Sequence, residues 1–297
     1  MYPPLGEGAF GVVWKARSMH PHYSTCSVAI KTIPLSNYTS GDCDKVGDHE
    51  RLPEVQPAAL TEARIWKFLS DEAYMANMDV PVLRMYGASC TDDGKHLAII
   101  MQLCSGGTLA DAIRREEMER SEQAAQWARQ RQGEEEAKVA ALAHRMARAL
   151  DFCHSRGVLH LDVKPENILF PTAAAVQRRR SDDEDEAPPP GATCWGGAVL
   201  ADFGLSQPFI AGSGRTHRKG RRCRGTCGYM APEVITHGAY SPAADAWSLG
   251  AVLLKALTGF LPPHDPDDPT DLIAEFDAWG CATAGGGAGS SSSPSPS

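Results

Sequence analysis

Six residues near the start of the chain, Gly6-Glu7-Gly8-Ala9-Phe10-Gly11, form a G-x-G-x-x-G. Glycines let a backbone approach a polyphosphate closely, and exposed N–H groups can bind its oxygens. Alone, the motif is also an ordinary Gly-rich turn. A dinucleotide site needs a strand before it and a helix after it. Here only five residues precede it, and Val12-Val13-Trp14 follows with β character, so the loop sits inside a hairpin. The next β-rich segment, Val28-Ala29-Ile30-Lys31, ends on a lysine about twenty residues later. Such a lysine can snorkel to solvent, but an ammonium at that distance is also where a phosphate would be paired.

Taken together, the glycine-rich hairpin and this lysine resemble the opening of the eukaryotic protein kinases. Four further segments carry the resemblance. His160-Leu161-Asp162-Val163-Lys164-Pro165-Glu166-Asn167-Ile168-Leu169 is similar to the catalytic loop, and Asp202-Phe203-Gly204 to the metal-binding D-F-G. Gly225-Thr226-Cys227-Gly228-Tyr229-Met230-Ala231-Pro232-Glu233 resembles the end of an activation segment. Asp245-Ala246-Trp247-Ser248-Leu249-Gly250 resembles the start of a long central helix.

The resemblance implies a role for each matched residue. Asp162 would orient a hydroxyl nucleophile and accept its proton, and Lys164 would neutralise the transferring phosphoryl group. Asn167 and Asp202 would supply oxygen ligands to Mg²⁺. Glu62 would hold Lys31; with Trp66 and Leu69 it falls on one helical face. Leu5, Gly6, Glu7, Gly8, Ala9, Phe10, Gly11, Val12 and Val13 would border ATP. So would Ala29, Lys31 and Leu169, with Met101-Gln102-Leu103-Cys104 as the hinge beside the adenine. Leu161 stands where the family usually has an arginine that pairs with a phosphorylated activation loop. Activation is therefore expected not to depend on that clamp, although the loop carries Arg215, Arg218, Lys219, Arg221, Arg222 and Arg224. His144, His154 and His160 have no ligand-type spacing and read as structural.

The elements that must position these residues are legible more coarsely. Ala58 to Leu69 permits a helix, Leu97 to Leu103 is a compact apolar strand, and Ala137 to His154 has helical apolar spacing. Strands dominate the first hundred residues and helices the rest, which is α+β with segregated halves. The expected fold is a two-lobed kinase domain over 1–263, its small β lobe ending near 103. Insertions are expected at 36–57, 114–137 and 171–197, a short helix at 264–279 and a low-complexity disordered tail at 280–297. Ala246 to Leu261 is apolar nearly all round, so this helix needs cover on all sides. The helical lobe reads as truncated and the chain as poorly stable alone.

Composition bounds the rest. The chain has 297 residues, 29 Lys+Arg against 37 Asp+Glu, a net charge of −8 and 42% hydrophobic residues. That is globular, and the negative balance argues against a nucleic-acid binder. Nine Cys without a C-x-x-C pair suggest neither a zinc framework nor a disulfide scaffold. No signal peptide or membrane span is visible, so an intracellular, cytoplasmic protein is expected, with ATP and protein substrates as partners and no membrane. The reading is a serine/threonine protein kinase, because Lys164 and Gly225-Thr226 are what that class carries. The alternatives are a catalytically silent kinase-like scaffold and an incomplete kinase fragment.

Overall fold

Alternation along Ser27–Pro34 decides more than a strand. In the computed structural model of the chain this segment is β3, and its inward set is Ala29, Lys31 and Ile33. Side chains alternate faces with period two, so the register that buries Ala29 and Ile33 also turns the Lys31 ammonium inward. The structure describes residues 4–8, 11–17, 27–35, 58–122, 128–171, 194–209, 216–217 and 224–261. Ala9, Phe10, the 36–57 segment, Arg215 and the Arg218–Arg222 cations, and the helix and tail expected beyond 263 lie outside the described residues.

The strands β1 (Gly6–Gly8), β2 (Gly11–Arg17), β3, β4 (Met85–Cys90) and β5 (His96–Gln102) form an antiparallel sheet in the order β1-β2-β3-β5-β4. Ala29 pairs with Met101 and Lys31 with Ile99 across β3 and β5, while Val13 pairs with Lys31 across β2 and β3. Gly11 has φ 132°, and a Cβ there would lie 2.2 Å from the Thr32 carbonyl oxygen. Only glycine fits that approach of β2 to β3.

Helix α1 (Ala58–Met75) covers the inward face of the sheet. Its buried stripe is Ala59, Glu62, Ala63, Trp66, Leu69 and Ser70, the three-to-four spacing of one helical face. The Ser70 hydroxyl accepts from the Met85 N–H, which ties α1 to β4. After the sheet come α2 (Leu109–Glu122) and α3 (Ala128–Ser155). The stretch 114–137, read from composition as an insertion, is here the end of α2 and the start of α3 among the described residues. Its Arg, Gln, Glu and Ala content propagates helices already begun by apolar stripes.

Short pairs build the loop region: β6 (Val158–Leu159) with β9 (Gln207–Pro208), and β7 (Ile168–Leu169) with β8 (Val199–Leu200). Backbone bonds sew the two halves together across this region. Leu83 N–H donates to Leu200 O and Leu200 N–H to Pro81 O, while Phe170 exchanges bonds with Gly106 and Gly107. The pair β10 (Thr216–His217) and β11 (Ala239–Tyr240) flanks α4 (Pro232–His237).

Helix α5 (Pro242–Thr258) starts three residues before Asp245, because Pro242 is set at the first helical position, and stops at Gly259 in a left-handed cap. Cover on this helix is partial among the described residues. Asp245, Ser248, Leu249 and Val252 are buried, but Ala246 and Gly250 leave a solvent face, and Leu257 and Phe260 are exposed. The stretch 171–197 meets the core again before its end. Trp195, in a 3₁₀ turn over Cys194–Gly197, is 3% exposed and belongs to the core, with Gly196 against Ala141 of α3. Composition marks the polar stretch but not the residue on which the chain lands again. Among the described residues no helix is long and apolar enough to cross a membrane.

Truncating a buried Trp typically costs about 3–5 kcal/mol. Trp195→Ala is therefore expected to lower the melting temperature by roughly 10 °C, on the scale of a few degrees per kcal/mol for a chain of this size. A melt by circular dichroism within 2 °C or so of the parent would show that Trp195 is not an anchor.

Candidate active site

The inward-facing lysine requires a counter-charge, because an unpaired buried ammonium is too costly to keep. Two carboxylates meet it. Lys31 Nζ donates to Glu62 Oε1 at 2.8 Å and to Asp202 Oδ1 at 2.9 Å. The Lys31 and Glu62 side chains are 8% and 1% exposed, while Asp202 keeps 29%. Asp202 is thus the member that faces the cleft. Its φ is 63°, a left-handed conformation rare for a non-glycine residue, held by the Lys31 contact and by the Gly204 N–H.

The three groups respond differently to this setting. Burial works to lower the Lys31 pKa, but the charges and hydrogen bonds of Asp202 and Glu62 outweigh it and hold the ammonium above its usual range. Burial works to raise Asp202, yet Lys31 and the Gly204 N–H bring its carboxyl below the ordinary carboxylate range. Burial wins at Glu62, which sits above that range with the Asp202 charge adding to the rise, against the pull of Lys31.

A second cluster forms on the loop between β6 and β7. Lys164 Nζ lies 2.8 Å from Asp162 Oδ2, and Asn167 Nδ2 donates to the same oxygen at 2.9 Å and to the Asp162 carbonyl at 2.8 Å. Thr226 donates its hydroxyl to Asp162 Oδ1 at 2.7 Å and accepts from Lys164 at 2.9 Å. The sequence marks Thr226 as part of a motif but not as a partner of Asp162, since 64 positions separate them.

The clusters adjoin through the backbone. Ala201 N–H donates to the Asn167 carbonyl at 2.8 Å, so Asp202 follows directly on the residue bonded to Asn167. Asn167 spends its amide nitrogen on Asp162, which leaves its side-chain oxygen as a donor atom, and Asp202 has a second carboxylate oxygen beyond the one shared with Lys31. Two hard oxygen groups suit Mg²⁺, which is usually held by one or two protein ligands plus substrate phosphates. Among the described residues no group of three or more His, Cys, Asp or Glu forms a metal cage. These residues fit a phosphate-bridging cation better than a structural metal.

The remaining candidates line the same opening. Val13, Ala29, Lys31 and Met101 share one sheet face through their pairings. Met101 is buried, and Leu103, Cys104 and Leu169 are half-buried against the core. Burial pushes the Cys104 thiol up to about 12, so it stays protonated. Leu5, just before β1, and Glu7, on it, are exposed, and Gly6 faces open space where a Cβ would meet nothing within 4 Å. Gly8, Gly11 and Val12 continue that edge, and Gln102 closes β5 with its N–H on Arg84 O.

One anchor holds the second cluster. Asp245, fully buried, accepts from the N–H groups of His160 at 2.9 Å and Leu161 at 2.7 Å and contacts His154 Nε2 at 2.8 Å. Leu161 itself has φ 65°. His160 contacts the Ala201 carbonyl and stacks edge-on against Phe203, which packs on Trp66 of α1. His154 and His160 are thus structural contacts, and His144 is exposed.

A protein kinase domain family model matches residues 2–281. Ribosomal protein S6 kinase alpha-2 of Mus musculus is 32% identical over 197 residues, covering 66% of this chain and 22% of the relative. CBL-interacting protein kinase 24 of Oryza sativa subsp. japonica is 32% identical over 173 residues, 58% of this chain and 29% of its own length. Serine/threonine-protein kinase sid1 of Schizosaccharomyces pombe is 27% identical over 272 residues, 92% of this chain and 43% of its own. The chain spans well under half the length of these relatives.

Two outcomes test the geometry. Asp245→Ala leaves two buried amides without an acceptor, each worth about 1–3 kcal/mol; urea unfolding should show a loss of roughly 3 kcal/mol or more, and an unchanged midpoint would remove Asp245 from this role. The ion cluster sets a pH window. Asp202's lowered value gives stability that is complete above its ordinary pKa of about 3.9 and lost as pH falls through the lower folded value. Lys31's raised value gives stability that is complete below about 10.4 and lost only as pH rises beyond it. The stability gap between the parent and Lys31→Met should therefore narrow as pH falls below about 4, where the Asp202 charge that Lys31 pairs is lost. A gap that stays constant from about pH 6 down to about pH 2 would contradict the assignment.

Proposed function

Because the chain belongs to the protein kinase family, we propose that it is an ATP-dependent serine/threonine protein kinase acting on protein hydroxyls. The observation that carries this reading is the convergence of residues up to 171 positions apart into two adjoining clusters, Lys31–Glu62–Asp202 and Asp162–Lys164–Asn167–Thr226. The family uses ATP and a divalent cation in general, and the serine/threonine kinases among the relatives support the hydroxyl class.

Each cluster has its own task. Lys31, oriented by Glu62, presents an ammonium to the phosphates of the nucleotide. Asn167 and Asp202 would hold Mg²⁺, which when bound neutralises charge on the phosphate oxygens. Asp162 accepts the proton of the attacking hydroxyl at a carboxylate oxygen. That carboxylate already takes a hydrogen bond from the aliphatic hydroxyl of Thr226, the geometry a serine or threonine substrate needs. Lys164 lies beside the same oxygen pair and offsets charge during transfer. Val13, Ala29, Met101, Leu103 and Leu169 provide the apolar walls for a base, and the β1–β2 hairpin the cover for the phosphates.

ATP-dependent phosphorylation of a generic protein substrate by the purified chain tests the reading against a silent scaffold. Asp162→Asn should lower turnover by roughly 10²–10⁴, the scale of general-base loss, with nucleotide affinity nearly kept. Transfer within a few-fold of the parent would remove Asp162 from the chemistry.

A further inference from the structure

The segment that brings Thr226 to Asp162 is held by a side chain that none of the motif roles covers. Tyr240 is 3% exposed in β11, and its ring belongs to an apolar cluster with Leu159, Leu161, Val234 and Ala244. Two contacts tie it to the activation segment. Its backbone pairs with Thr216 in the β10–β11 ladder. Its hydroxyl oxygen accepts a hydrogen bond from the Arg224 N–H at 3.0 Å.

Arg224 is two residues from Thr226. Gly225 between them has φ 132°, and a Cβ there would lie 2.7 Å from Met230 Cγ. The link between the Tyr240 hydroxyl and the Thr226 hydroxyl is therefore short and closely packed. Shifting Arg224 shifts Thr226, and Thr226 bridges Asp162 Oδ1 and Lys164 Nζ.

We propose that Tyr240 is a positioning residue: its hydroxyl, fixed by the buried ring, holds the Arg224 amide so that Thr226 bridges Asp162 and Lys164. This rests on the reading of Asp162 and Lys164 as the reacting pair. The device works through a side-chain hydroxyl and a backbone amide, so it needs no phosphoryl group on the segment. Leu161, apolar where a cation would answer a phosphate, belongs to the same buried cluster as Tyr240.

The test is Tyr240→Phe in the full chain, treated with phosphatase before assay. The ring stays and one hydrogen bond goes. Losing one such bond should lower kcat about five- to ten-fold, the rate equivalent of roughly 1 kcal/mol. The KM for ATP should stay within about two-fold, and the melting temperature within about 4 °C, as one hydrogen bond allows. Hydrogen exchange at the Arg224 and Thr226 amides should quicken while that of α5 does not. An unchanged kcat overturns the proposal, as does a parallel rise in ATP KM with faster exchange throughout the chain, which marks general loosening. Exchange reads the tether without turnover. A parent chain that transfers no phosphoryl group would therefore sink the kinase reading and leave the Arg224 amide to decide this one.

Discussion

A charged ammonium on the buried face of a sheet is the constraint around which the upper half of the molecule is arranged. Lys31 shares its face with Ala29 and Ile33, and a slip of one residue would bury Val28, Ile30 and Thr32 in their place. Given the register, the ammonium must find carboxylates. Glu62 reaches it only if α1 lies flat on the sheet with Trp66 and Leu69 also turned inward. Asp202 reaches it only if the segment after β8 turns back through a left-handed residue. One buried charge thus couples the sheet, the helix and the loop. Removing a single partner would strand a charge, which is more damaging than removing the whole set.

The lower half has a comparable anchor of opposite sign. Asp245 is fully buried at the start of α5, and its oxygens take the backbone N–H groups of His160 and Leu161. Those bonds stabilise the left-handed backbone at Leu161, which aims Asp162 and Lys164 at the cleft. Strain of this kind persists where surrounding contacts over-determine it. The rings of His160, Phe203 and Trp66 then join this loop to α1, so the two anchors lie on one packed path.

Two polar stretches begin and end at fixed points of the fold. The β7–β8 pair brackets residues 170–198, and the chain returns to the core at Trp195 immediately before β8. Residues 114–122 and 128–137 lengthen α2 and α3 beyond their buried stripes, which end and begin on residues such as Ile113 and Val139.

Much of this was legible in the residues alone. Lys31, Glu62, Asp162, Lys164, Asn167 and Asp202 could be singled out because their short motifs resemble those of the protein kinases: glycines before an apolar strand, a polar decapeptide, and, for Glu62, a place on one helical face within that resemblance. Local spacing carries that information, since a strand's alternation and a helix's stripe are set over a few residues. The partnerships were not legible. That Thr226 bridges Asp162 and Lys164, that Asp245 caps the amides of His160 and Leu161, and that Trp195 closes a polar stretch depend on contacts across 62 or more positions or on burial. The same holds for α5, where Leu249 and Val252 are buried and Leu257, of the same apolar kind, is exposed. A side chain's type and period are properties of the local chain. Which hydroxyl meets which carboxylate is decided only when packing brings distant backbone together and leaves one arrangement in which every buried charge is paired.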